Sequence, residues 1–126
     1  MFDNQAYVGG PDVVQQLKDA LPDGWSATLL AVDGSVTSEV ADQAVHLPAS
    51  ATHLVLSSGG NDALMQEDFL TGPAGSTAQV LLALSAIASR FRAAYRSLLS
   101  DLASLELPLT VCTIYDPSWD DTEQVA

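Results

Sequence analysis

Leu54-Val55-Leu56-Ser57-Ser58-Gly59-Gly60-Asn61-Asp62 is the stretch of sequence that indicates the fold, because a short apolar run passes directly into a loop of glycines and polar side chains. A short, continuous apolar run is typical of a strand in a sheet that is covered on both faces. In parallel α/β sheets, ligands bind in the crevice beyond the carboxyl ends of the strands. Residues 59–62 are therefore predicted to form a functional loop at that edge of a sheet.

The elements on either side of this stretch alternate between helix and strand. Apolar residues at spacings of three and four predict helices, and nearly continuous or alternating apolar runs predict strands. Helices are predicted at about residues 11–21, 35–46 and 76–105, strands at residues 25–32, 53–57 and 109–115, and a loop at residues 63–75. This order predicts an α/β fold with a parallel sheet and right-handed crossovers.

Length and charge limit the class of protein. A chain of 126 residues with 48% hydrophobic and 16% charged residues is predicted to form one globular domain, residues 1–126. Sixteen acidic and four basic residues give a net charge of −12, which would repel nucleic acids and anionic membrane surfaces. Neither a secretion signal nor an apolar stretch of about eighteen residues is present, so we expect no membrane span and a cytoplasmic location. Cys112 is the only cysteine, and no Cys/His cluster has the spacing of zinc ligands, so no metal or other cofactor is predicted.

Two hydrogen-bond donors are predicted at neighbouring strand ends. Gly34 follows the strand at residues 25–32 and would present its backbone N–H, and Asn61 follows the strand at residues 53–57 and would present its side-chain amide. Fixed donors of this kind hold the oxyanion that forms in acyl transfer, and each contributes on the order of 3 kcal/mol. A structural interpretation is also open, in which Gly34 permits a tight turn and Asn61 closes its own loop.

Five segments of the chain, in this order and at these strand ends, resemble the SGNH (GDSL-like) hydrolases. They are Phe2-Asp3-Asn4, Leu30-Ala31-Val32-Asp33-Gly34, Thr52-His53-Leu54-Val55, Gly59-Gly60-Asn61-Asp62-Ala63 and Val111-Cys112-Thr113-Ile114-Tyr115-Asp116-Pro117. The resemblance implies a flavodoxin-like three-layer α/β/α sandwich. It also implies a lipase or esterase activity on a small ester or acyl substrate, carried out by a serine nucleophile without a cofactor.

The resemblance assigns roles to the two loops. Gly34 resembles the oxyanion glycine of the second sequence block, and Asn61 resembles the oxyanion asparagine of the third block. Gly60 and Asp62 are then supporting residues of the third-block loop. The family therefore predicts an oxyanion hole at the same two positions that the strand ends indicate.

Two blocks of the family pattern cannot be assigned to any residue of the chain. The Gly-Asp-Ser block with the nucleophile would lie just ahead of Met1, and the Asp-x-x-His block with the base would lie beyond Ala126. We therefore expect a domain truncated at both ends, without its first strand and C-terminal elements, that is inactive as it stands. Ser35 is predicted to cap a helix rather than act as a nucleophile, and His53 to be a packed or edge histidine rather than a base.

A second interpretation is a non-catalytic binding or interaction module derived from the same fold. In a flavodoxin-like sheet the strand order is 2-1-3-4-5, so the first strand lies between the second and the third. Its absence would leave a gap about one strand wide between residues 25–32 and 53–57, with unpaired backbone groups on both sides. Either these two strands close up against each other, or the chain is a fragment. Open edges would also allow self-association or pairing with a partner chain.

Overall fold

The computed structural model of the protein describes residues 2–114, apart from the side chains of residues 70 and 71. The described chain contains five helices and two strands: α1 (Val13–Ala20), α2 (Val40–Ala44), β1 (Leu54–Leu56), α3 (Gly60–Leu64), α4 (Glu67–Thr71), α5 (Thr77–Ala103) and β2 (Leu109–Val111). Single 3₁₀ turns lie at Gln5–Tyr7 and Thr37–Glu39. No helix within residues 2–114 combines the length and the apolar character that crossing a bilayer requires.

The sheet consists of two parallel strands. β1 pairs with β2 in the register Leu54 to Leu109, Val55 to Thr110 and Leu56 to Val111. The long helix α5 connects the two strands, as expected for a parallel pair, which cannot be joined by a tight hairpin. The prediction of a mixed α/β architecture with a parallel sheet is therefore confirmed. Two strands are too few to define a three-layer sandwich.

The helix boundaries follow from side-chain caps. The Asp12 carboxylate accepts a hydrogen bond from the Gln15 N–H at the start of α1, and the Ser76 hydroxyl accepts one from the Gln79 N–H at the start of α5. Such caps satisfy backbone N–H groups that have no partner inside the helix. The predicted helices at residues 11–21 and 76–105 are confirmed to within two residues at each end.

The core lies under the carboxyl-terminal half of α5. Leu98 and Leu102 on this helix pack with Leu56 of β1, and these three side chains are only 4–6% exposed. Partly buried side chains surround them: Val40, Ala44, Leu99 and Leu109. In contrast, Leu81 and Leu82 near the start of α5 are 62% and 71% exposed, so the apolar face of this helix is covered over only part of its length.

Three sequence predictions differ from the structure. Residues 25–32 form no strand, because they pair with no other segment of the described chain. A strand needs a neighbour to receive its backbone hydrogen bonds, and the apolar composition of residues 25–32 does not supply one. The sequence predicts a loop at residues 63–75, but they contain the end of α3 and all of α4. The last predicted strand ends at Val111, and its final residue, Tyr115, lies outside the described residues.

A groove lies beside β1. It has a volume of about 840 Å³, and its lining includes residues 24–31 and residues 50–57 together with side chains of α1, α2, α5 and β2. The two segments that the sequence predicts to be strands therefore do not close up against each other.

Candidate functional site

The loop after β1 and the turn around Gly34 meet at the carboxyl edge of the sheet. The side-chain amide of Asn61 donates a hydrogen bond to the Ser35 carbonyl over 2.8 Å. Gly34 has a φ of +80°, a left-handed conformation that favours glycine, and the Ser35 N–H donates to the Val32 carbonyl to close the turn. The expectation of a tight turn at Gly34 is confirmed. Asn61 does not close its own loop but connects it to the neighbouring one.

A second connection between the same loops runs through Asp62. One carboxylate oxygen of Asp62 accepts hydrogen bonds from both the backbone N–H and the hydroxyl of Thr37, each over 2.9 Å. The Thr37 hydroxyl also lies 3.0 Å from the Ser58 hydroxyl. Thr37 is only 2% exposed, so these bonds replace its contact with water. Asp62 therefore holds the turn before α2 against the loop after β1.

An acidic cluster extends this edge toward the amino terminus of the chain. The Asp33 backbone N–H donates to the Asp3 carboxylate over 3.0 Å, and the Tyr7 hydroxyl donates to the Asp33 carboxylate over 2.5 Å. The hydrogen bond to Asp33 and then the negative charge of Asp33 raise the pKa of Tyr7 above its ordinary value of 10.0. The phenol therefore remains a protonated donor throughout the neutral pH range.

Gly59 sets the direction in which the chain leaves β1. Its φ is +109°, and a Cβ at this position would lie 2.7 Å from Ile114 Cδ1 and 2.9 Å from Phe91 Cζ. Both the backbone conformation and the close packing require glycine here. A Cβ on Gly60, the first residue of α3, would meet no atom within 4 Å. The two adjacent glycines therefore differ in function, since only Gly59 is required by the fold.

Two N–H groups at this edge of the sheet remain available as hydrogen-bond donors. The Gly34 N–H makes no hydrogen bond within residues 2–114. The amide of Asn61 carries two N–H bonds, and the Ser35 carbonyl accepts only one of them. A small anion, or a carbonyl oxygen that gains negative charge, is the chemical group that such donors stabilise.

The two other candidate catalytic residues, His53 and Ser35, each contact a neighbouring side chain. The His53 ring lies against the Trp25 ring, with 5.1 Å between the ring centres, although His53 is exposed. The Ser35 hydroxyl accepts a hydrogen bond from the Gln43 side chain over 2.9 Å. No hydrogen bond within residues 2–114 joins Ser35 to a histidine. The prediction that Ser35 caps a helix is wrong, because the N-cap residues are Val36 for the 3₁₀ turn and Glu39 for α2.

Sequence reasoning did not identify Asp3, Tyr7 or Thr37 as members of this edge. Asp3 and Asp33 are thirty positions apart, and Thr37 and Asp62 are twenty-five positions apart. No periodic pattern connects residues at such separations. The one sequence signal was the resemblance of Phe2-Asp3-Asn4 to the family pattern. It placed this segment next to the nucleophile block, but it did not predict that Asp3 accepts a hydrogen bond from Asp33.

Comparison of the chain with protein-family models, with curated proteins and with solved structures finds no match in any of the three. The resemblance to the SGNH hydrolases therefore remains a hypothesis that rests on the sequence blocks. The structure shows that the loops bearing Gly34 and Asn61 contact each other at the carboxyl edge of a parallel pair of strands.

Proposed function

We propose that the chain carries the oxyanion-binding loops of an SGNH-type ester hydrolase, with the Gly34 N–H and the Asn61 side-chain amide as the two donors. The three-layer sandwich and the ester or acyl substrate belong to the same proposal. One observation carries it: the Asn61 amide donates to the Ser35 carbonyl over 2.8 Å, so the loop that bears Asn61 lies against the turn that bears Gly34.

The hydrogen bonds around the donors favour this role. Asp62 accepts two bonds from Thr37 and so fixes the loop that bears Asn61. The turn that bears Gly34 is held by the bond from the Asp33 N–H to Asp3. Donors that are already fixed need no reorganisation when charge develops, which is why such sites lower the barrier to acyl transfer.

The reaction also needs a nucleophile and a base, and residues 1–126 contain neither a Gly-Asp-Ser nor an Asp-x-x-His string. Ser35 is a poor substitute because its hydroxyl is bonded to the Gln43 side chain. We therefore propose that the 126-residue chain supplies the oxyanion donors of the reaction but not its nucleophile.

The test is hydrolysis of a short-chain chromogenic ester by two proteins. One is the 126-residue chain, and the other carries an added strand that ends in Gly-Asp-Ser before Phe2 and an added segment with Asp-x-x-His after Ala126. We expect turnover only in the extended protein, and Asn61→Ala should lower its kcat by roughly 100-fold, the effect of losing one oxyanion donor.

Ser35→Ala is the matched control, because it keeps the backbone carbonyl that holds Asn61 and removes only the hydroxyl. It should leave kcat of the extended protein unchanged. Turnover by the 126-residue chain that Ser35→Ala abolishes would identify a different nucleophile. An extended protein that is folded and unaffected by Asn61→Ala would contradict the oxyanion assignment.

A further inference from the structure

We draw no further inference here: the strongest candidate, the apolar groove beside β1 whose lining includes residues 24–31 and 50–57, carries none because nothing in the structure shows what covers it.

Discussion

The Asn61 side-chain amide donates a hydrogen bond to the Ser35 carbonyl over 2.8 Å, which joins the loop after β1 to the turn that bears Gly34. The two residues are twenty-six positions apart, and they lie at the ends of two different apolar runs. The bond therefore fixes the relative position of the two loops. It also places the two residues that we propose as oxyanion donors on adjacent loops.

Asn61→Ala should destabilise the fold. The substitution removes the donor and leaves a part-buried Ser35 carbonyl without this bond, so we expect the free energy of unfolding to fall by about 1–2 kcal/mol. Urea denaturation followed by circular dichroism measures the change. Ser38→Ala, at an exposed position whose side chain makes no hydrogen bond in the described chain, is the control and should change stability by less than about 0.5 kcal/mol.

Thr37→Val tests the second connection between the loops. Valine has nearly the same shape but lacks the hydroxyl, so the Asp62 carboxylate keeps only the backbone N–H of residue 37 and the Ser58 hydroxyl loses a neighbour. Because the site is 2% exposed, we expect a loss of about 1–3 kcal/mol in the same denaturation experiment. Thr37→Ser keeps the hydroxyl, so its free energy of unfolding should fall by less than that of Thr37→Val. Equal losses for the two variants would show that the methyl group, and not the hydroxyl, matters.

Tyr7 should titrate above pH 10. Its hydrogen bond to Asp33 favours the protonated phenol, and the charge of Asp33 opposes formation of the phenolate. Because the pKa is raised in the folded state, the bond to the ionised Asp33 carboxylate stabilises the fold below the unfolded value of about 10, and this contribution is lost as the pH rises through the folded value. The tyrosine ring-carbon signals in NMR spectra, assigned with Tyr7→Phe, follow the titration. Asp33→Asn should lower the pKa of Tyr7, and an unchanged titration would contradict the assigned cause.

Gly59 and Gly60 offer a matched pair of substitutions. Gly59→Ala would force a side chain onto a φ of +109° and bring its Cβ to 2.9 Å from the Phe91 ring, so we expect a loss of about 1–3 kcal/mol. Gly60→Ala meets no atom within 4 Å and lies in α3, where alanine is favoured over glycine by up to about 1 kcal/mol. The midpoint temperature of thermal unfolding should therefore fall for Gly59→Ala and rise for Gly60→Ala. A lowered midpoint for both would show that Gly60 has a constraint that the packing does not reveal.

Local patterns were sufficient for the elements whose partners are near in sequence. The spacing of apolar residues predicted α1 and α5, because a helix satisfies its backbone within itself and its ends depend on caps such as Asp12 and Ser76. The turn at Gly34 was predicted for the same reason, since its backbone conformation is a property of the residue.

Apolar character was not sufficient for the strands. Residues 25–32 and residues 53–57 have similar runs, yet only β1 forms, because β2 lies beside it in parallel register. Strand formation depends on a neighbour that supplies hydrogen-bond partners, and no property of residues 25–32 indicates whether one is present.

Composition, the positions of α1 and α5 and the turn at Gly34 could thus be read from the amino-acid sequence alone, whereas α4 could not. The tertiary structure decided which apolar run became a strand, that a groove of about 840 Å³ stays open beside it, and that Asp3, Tyr7 and Thr37 join the edge with Gly34 and Asn61. The physical reason is that helices and turns are stabilised by contacts within a few residues, whereas strand pairing and the shape of a crevice depend on groups that are far apart in the chain.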